Sequence, residues 1–337
     1  MNIYEISVLA GVAPSTVSKV LNQRAGVSEK TRKKVMDVVA ASGFQPKLVV
    51  SERNHIAFIF QSNDRQANIF GSNFLIEILG GVCDELLLSG YVVSLYPSTE
   101  IPHNKEEFSL LCRKNHIAGC IFGNAYRDDF YIEELAGVVP MAVINADFHG
   151  ERLYTISSDD YSGMYGAVKY LYEMGHRRIA LAASVLRFQS NWEKWRGYHA
   201  ALEDLGLPSP EDYVIRLRDF TASFADCWKK LGERGMPMPT AIAAMNDEDA
   251  VRIQRQLKDI GVDCPADVSI VGYDDYRYVG DLTPALTTVR QVLFEKGRIA
   301  AKLACGCDPG QLGLPYDAEH GLVLTTELVV RDTVRSV

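Results

Sequence analysis

Little in this chain of 337 residues suits a membrane protein, a disulfide scaffold or a disordered tail. No apolar run approaches the roughly 20 residues that span a bilayer. The opening Met1-Asn2-Ile3-Tyr4-Glu5 lacks the basic-then-apolar order of a secretion signal, so a cytoplasmic protein with no membrane partner is expected. Seven cysteines are an odd number, and only Cys305-Gly306-Cys307 brings two close together, which implies neither a disulfide framework nor a zinc site. There is no G-x-G-x-x-G fingerprint and no P-loop; Gly80-Gly81 falls late in a helical stretch, where close packing is the better reading. What is present is an ordinary globular composition, 47% hydrophobic and 23% charged, on a chain too long for a single core.

Charge is unevenly divided. The formal net charge is −8, yet residues 1–53 hold eight basic residues against four acidic ones, a net of +4 that leaves −12 for the remainder. A basic head on an acidic body is the asymmetry expected when the head meets phosphate and the body stays clear of it. Within the head, Ile3, Ile6, Leu9 and Ala10 recur at helical spacing, and Gly11 then offers the left-handed conformation that ends a helix in a sharp corner. Pro14 suits the first position of a second helix, in which Val17, Val20 and Leu21 face inward and Ser15, Thr16, Ser18 and Lys19 outward. Ser28 is placed to cap a third, whose buried stripe is Val35, Val38 and Val39. Two short helices about a glycine turn, backed by a third, form a helix-turn-helix, whose second helix enters the major groove of duplex DNA.

The run from Ile3 to Asn22, with Val27-Ser28-Glu29-Lys30-Thr31-Arg32 after it, closely resembles the head of the lactose-repressor (LacI/GalR) family. The resemblance implies that Pro14 and Ser15 open the recognition helix against base edges and that Thr16, Ser18 and Asn22 contact phosphate or bases. Lys19 stands where the family usually has Arg; it lacks the guanidinium fork for guanine, so a phosphate role is expected of it. Ala13 replaces a capping Ser, at a cost of roughly 1 kcal/mol to the helix start. Residues 47–55 form a linker about five residues shorter than the family's hinge helix. Lys47 replaces an Asn there, the Ala-Arg pair is missing, and Leu48 is the nearest apolar candidate for a minor-groove wedge.

From Ile56 onward, apolar runs (Ile56–Phe60, Tyr91–Leu95, Gly119–Phe122, Met141–Asn145, Arg178–Ala182, Thr240–Met245, Val268–Tyr273) alternate with helical stretches. That alternation means α/β lobes with doubly wound parallel sheets, and ligands bind where strand C-termini face one another across the cleft. Asn246, Asp247 and Asp274 follow apolar strands directly, so their polar groups should emerge there; amides and carboxylates suit the hydroxyls of a sugar.

The body in turn resembles the family's periplasmic-binding-protein type of sensor, through Gly175-His176-Arg177-Arg178-Ile179, Val268-Ser269-Ile270-Val271-Gly272-Tyr273-Asp274-Asp275, Pro284-Ala285-Leu286-Thr287-Thr288-Val289 and Leu328-Val329-Val330-Arg331. By that likeness the head is 1–46 and the sensor 56–337, with an N-terminal lobe of about 56–157 and 289–320 and a C-terminal lobe of about 158–288 and 321–337. It implies effector contacts at Asn246, Asp274 and Gln291, a stacking ring at Phe220, Asn73 and Phe74 where the first helix meets the ligand, and an acid at Asp159. The adjacent Asp160 reads equally as a solvated loop residue. Lys194 stands where the family commonly has a clamping Arg, flanked by Trp192 and Trp195, which either stack on a sugar or pack.

No catalytic set is found: the histidines at 55, 103, 116, 149, 176, 199 and 320 are isolated, and the Asp159-Asp160 and Asp274-Asp275 pairs are as readily loop polarity as metal ligands. The expectation is a non-enzymatic transcriptional regulator, a homodimer without cofactor, whose affinity for operator DNA is set by a small effector such as a sugar. A solute-binding receptor and a Rossmann-like enzyme are the rival readings.

Overall fold

The computed structural model describes residues 3–21, 26–42, 54–62, 72–87, 89–209, 211–216, 223–313, 315–317 and 321–337. Chain contacts divide it into two units, Met1–Arg53 and Asn54–Val337. The first is three helices, α1 (Ile3–Ala10), α2 (Pro14–Leu21) and α3 (Glu29–Ser42). Its small core is Ile6, Ala10, Val17, Val20, Val35 and Val39, the apolar positions that helical spacing selects. The corner after α1 is a Schellman turn: Gly11 sits at φ +58°, its N–H reaches Val8 O at 3.1 Å, and the Val12 N–H reaches Ser7 O at 3.0 Å.

The second unit holds two six-stranded sheets. In the first, β1 (His55–Phe60), β2 (Val92–Pro97), β3 (Ile117–Phe122), β4 (Met141–Ile144), β5 (Leu153–Ser158) and β11 (Leu322–Leu324) lie in the order β11-β5-β4-β3-β1-β2, all parallel. Alternate residues sort to opposite faces. Ile56, Phe58, Ile121 and Ala142 meet α4 (Asn73–Leu86) and α11 (Leu293–Ala304), while Ala57, Ile59, Cys120 and Val143 meet α5 (Lys105–Lys114) and α6 (Tyr131–Glu134). Gly81 is what lets α4 and α11 touch, since a Cβ there would lie 1.9 Å from Phe294 O; Gly297 does the same from the other side, 2.1 Å from Ile78 O.

In the second sheet, β6 (Ile179–Ala183), β7 (Val214–Arg216), β8 (Ala241–Ala244), β9 (Ser269–Asp274), β10 (Thr287–Arg290) and β12 (Glu327–Val329) run in the order β12-β10-β9-β8-β6-β7, with β12 antiparallel. Helices α7 (Asp160–Glu173) and α8 (Gln189–Asp204) cover one face, α9 (Phe224–Glu233) and α10 (Asp247–Asp259) the other.

The expected lobe boundaries shift. Thr287–Arg290 stays in the second sheet and Leu322–Leu324 pairs with β5 in the first, so the chain crosses between lobes at 158–160, 290–293 and 324–327 rather than at 288 and 320. Strands of three or four residues, at a sheet edge like β11 or one place in from it like β10, carry too little pattern to say which sheet they join. Among the described residues, no helix is long and apolar enough to cross a membrane. Lys47, Leu48 and the rest of 47–53 lie outside the described residues, as do Asn22 and Phe220.

Candidate functional site

In the head, burying Val17 and Val20 turns the opposite side of α2 outward: Ser15 and Lys19 are exposed, and Pro14, Thr16 and Ser18 are half-buried. The helix starts without a side-chain cap, the Ala13 carbonyl taking the Thr16 N–H at 2.8 Å and the Val17 N–H at 3.2 Å. Helix α3 is capped as expected, Ser28 Oγ accepting the Thr31 N–H at 3.3 Å. The carbonyl of Val20 at the end of α2 takes a guanidinium N–H of Arg32 at 3.4 Å, which ties the second helix to the third. The result is a short helix presenting hydroxyls and one ammonium on a small fixed scaffold, the form that reads a major groove.

In the body, the C-terminal ends of both sheets face a cavity of about 170 Å³. Asn124 and Ala125 follow β3, Ile144 and Asn145 end β4, Met245 and Asn246 follow β8, and Asp274 and Tyr276 close β9. Helix starts supply Ser72 and Phe74 from α4, Phe188, Ser190, Asn191 and Lys194 from α8, and Glu248 from α10. Asn145 and Asp274 hold left-handed backbone, φ +54° and +117°, which costs a non-glycine residue of order 1–3 kcal/mol and persists where the surroundings enforce it. Beneath them lies a buried polar network. Lys296 Nζ, with no solvent exposure, donates to Asn145 Oδ1 at 2.7 Å, Ser158 Oγ at 2.8 Å and Gln291 Oε1 at 3.3 Å. Ser158 Oγ donates to Gln291 Oε1 at 2.7 Å, and Gln291 Nε2 donates to Asp274 Oδ1 at 2.6 Å. Burial, only partly offset by the nearby Lys194 ammonium, pushes Asp274 up to about 6, and burial draws Lys296 down to about 8.

The two lobes also meet across the mouth of the cleft. Asn73 donates through its backbone N–H at 3.1 Å and its side-chain amide at 2.6 Å to Glu248 Oε1. On the other side, Arg127 N–H reaches Arg187 O at 2.8 Å, Arg187 pairs with Asp128 at 2.9 Å while its guanidinium lies over Tyr126, and Arg127 lies over Trp192 at 4.5 Å.

Of the residues expected at the effector, Phe74, Lys194, Asn246 and Asp274 line the cavity. Asn246 does so while capping α10, its Oδ1 accepting the Asp249 N–H at 2.7 Å. Lys194 is buried, its Nζ donating to Met245 O at 3.0 Å and sitting 4.0 Å from Asp160 and over the Tyr273 ring. The others stand back from it. Asn73 is spent on Glu248, and Gln291 lies in the network below. Asp159 caps α7 by accepting the Ser162 N–H at 3.0 Å, leaving Asp160, 2% exposed, as the buried acid of the pair. Asp247 takes the Thr288 hydroxyl at 2.5 Å and the Tyr276 N–H at 3.0 Å, holding β9 to β10 from behind. Trp192 and Trp195 stack on each other at 5.0 Å. Sequence reasoning missed Asn124, Asn145, Phe188, Asn191, Glu248 and Tyr276. Asn145 carried the same signal that found Asp274, a polar residue ending an apolar strand.

Comparison with known proteins agrees with this architecture. Residues 2–47 match a family model described as bacterial regulatory proteins, lacI family, and residues 168–334 one described as a periplasmic binding protein-like domain. The HTH-type transcriptional regulator DegA of Bacillus subtilis (strain 168) is 29% identical over 98% of this chain and 96% of its own length. An HTH-type transcriptional regulator of Lachnoclostridium phytofermentans is 30% identical over 86% of this chain and 87% of its own. Among solved structures, a complex of the transcriptional regulator CelR with cellobiose matches at TM-score 0.68 and 27% identity, covering 99% of both chains. The Lac repressor bound to ONPG shares the fold at TM-score 0.74 and 23% identity, again over 99% of both. A helix-turn-helix head, a two-lobed body and relatives alike along nearly their whole length together place the chain in the lacI family of bacterial regulatory proteins.

Proposed function

We propose that this chain is a transcriptional repressor whose affinity for operator DNA is governed by a small sugar-like effector held between the lobes of its body. Two copies, paired through their bodies, present two α2 helices to successive major grooves of a pseudo-palindromic operator. Pro14 and Ser15 lie against base edges; Thr16, Ser18 and Asn22 add phosphate or base contacts, and Lys19 neutralises phosphate. The observation that carries the reading is the union, in one chain, of a helix-turn-helix with an exposed polar face and a cleft lined at the strand ends of both lobes.

The chemistry of that lining favours a sugar. Asn124, Asn145, Asn191 and Asn246 offer amide edges, Ser72 and Ser190 hydroxyls, and Asp274 a carboxylate, while Phe74, Phe188 and Tyr276 supply ring faces for C–H surfaces. A cavity of about 170 Å³ compares with the roughly 150 Å³ that admits benzene, so one six-membered ring is the natural occupant. Relatives point the same way: one is named ribose operon repressor, of Bacillus subtilis (strain 168), at 27% identity. The protein then acts in the cytoplasm by binding rather than catalysis, in keeping with relatives named transcriptional regulators. The effector changes operator affinity only by preferring one lobe arrangement over another.

Selection of bound fragments from genomic DNA by the purified full chain, followed by gel shifts with D-ribose, D-glucose, D-galactose and cellobiose, tests this. A salt-sensitive specific complex altered by one of these sugars is expected; absence of any sequence-selective complex discards the proposal.

A further inference from the structure

Lys296 is a cation at a place where the helical pattern of α11 calls for an apolar side chain, and it is fully buried. An ammonium has three donors, and here each has an acceptor from a different segment: Asn145 after β4, Ser158 at the first crossing between lobes, and Gln291 at the second. Through Gln291 the same cation reaches Asp274 on β9. Asn145 and Asp274 line the cleft from opposite lobes, and both sit in backbone conformations that need enforcement. Keeping an ion dry is expensive unless every lone pair and proton is used, so its presence here calls for a role beyond filling space.

We infer that Lys296 is the positioning residue of the effector response: its ammonium fastens the cleft floor of both lobes to two of the three chain crossings, so that the angle between lobes and the arrangement of the floor change together. The inference rests on the reading of the cleft as the effector site. The charged groups facing Lys296 are Asp160 of α7 and Asp274 of β9, which favour the ammonium, and Lys194 of α8, which opposes it. Burial outweighs them and brings its titration to about 8. Above that pH an amine with two N–H groups must serve three acceptors, and the fastening loosens. Asp274, titrating near 6, is already ionised at pH 8, and Asp247, whose buried carboxyl also titrates near 8, is replaced throughout the experiment (Asp247→Asn) so that Lys296 is the group followed.

The experiment follows lobe closure in the free full-length Asp247→Asn chain between pH 6.5 and 9.5, by small-angle scattering and by tryptophan emission. All three tryptophans are in the body, and Trp192 touches Arg127 across the lobes. This parent protein is expected to expand, and its emission to shift, with a midpoint near pH 8. Lys296→Met added to it should show the high-pH signal throughout, with circular dichroism confirming that it is folded. Ser158→Ala, which keeps the lysine and deletes one acceptor of its charged form, should move the midpoint down by a few tenths of a pH unit and decides the matter if Lys296→Met does not fold. A pH-independent parent, a Lys296→Met protein that keeps the transition, or an unmoved Ser158→Ala midpoint overturns the inference. A transition near pH 8 in a protein whose DNA binding ignores every sugar tested would leave the coupling of lobe angle to cleft floor through Lys296 standing and refute the effector reading on which its part in the response rests.

Discussion

Replacing Asp247 by Asn should change how stability depends on pH, with little direct effect on the cleft. Its carboxyl is fully buried at the start of α10, where it takes the Thr288 hydroxyl and the Tyr276 N–H. Burial first, and the nearby Asp274 carboxylate second, push it up to about 8. A carboxyl raised above its unfolded value contributes stability that is complete below about pH 4 and disappears as pH rises through 8, because the folded state holds a proton that the unfolded chain has released. From about pH 4 to 7.5, at about 1.36 kcal/mol per unit, Asp247 should withdraw at most about 5 kcal/mol. Asn cannot titrate and fits one of the two donors poorly, a loss of about 1 kcal/mol. The variant should therefore be slightly less stable than wild type at about pH 4, cross it between about pH 4 and 5, and be more stable, by up to about 4 kcal/mol, at pH 7.5. Urea unfolding followed by far-ultraviolet circular dichroism at several pH values measures the crossing. Parallel pH profiles for the two proteins would refute the reasoning.

Lys19→Ala should weaken binding to all DNA sequences and lower the slope of log affinity against log salt by about one, whereas Ser15→Ala should relax base choice at one operator position by roughly 1–3 kcal/mol; fluorescence anisotropy on a set of mutated operators separates the two. Gly297→Ala places a methyl 2.1 Å from Ile78 O and must part α11 from α4, so a loss of about 1–3 kcal/mol is expected in thermal or urea unfolding. Arg187→Ala removes an exposed clasp between lobes and should cost effector affinity about two- to fivefold, less in high salt, by isothermal titration with whichever sugar of the panel binds.

The head was legible because each of its boundaries is written in local chemistry: Gly11 supplies the left-handed turn, Pro14 the helix start and Ser28 the cap. Strands such as Ile56–Phe60 were legible because burial on both faces leaves an unbroken apolar run. Val214–Arg216, Leu153–Ser158 and the polar helices α5 and α9 carry no such run, and went unseen. In the cleft, polarity at a strand end found Asn246 and Asp274, and the same rule held for Asn145 and, one residue further on, Asn124. The same rule pointed to Asp247, and the family resemblance to Asp159; both stand back from the cavity, because acids at a helix start are readily consumed by backbone N–H and neighbouring hydroxyls. Lys296, between Glu295 and Arg298 on α11, reads in sequence as one more solvated charge; only packing against two chain crossings makes it interior.

The most direct test of the whole account is reciprocity. The full chain is titrated with its selected operator in the presence and absence of the sugar that binds it, and then with that sugar in the presence and absence of operator. The account expects the same factor in both directions, in the range of about 5 to 150. Tight operator binding and tight sugar binding that leave one another unchanged would contradict it, for then the cleft would not govern the head.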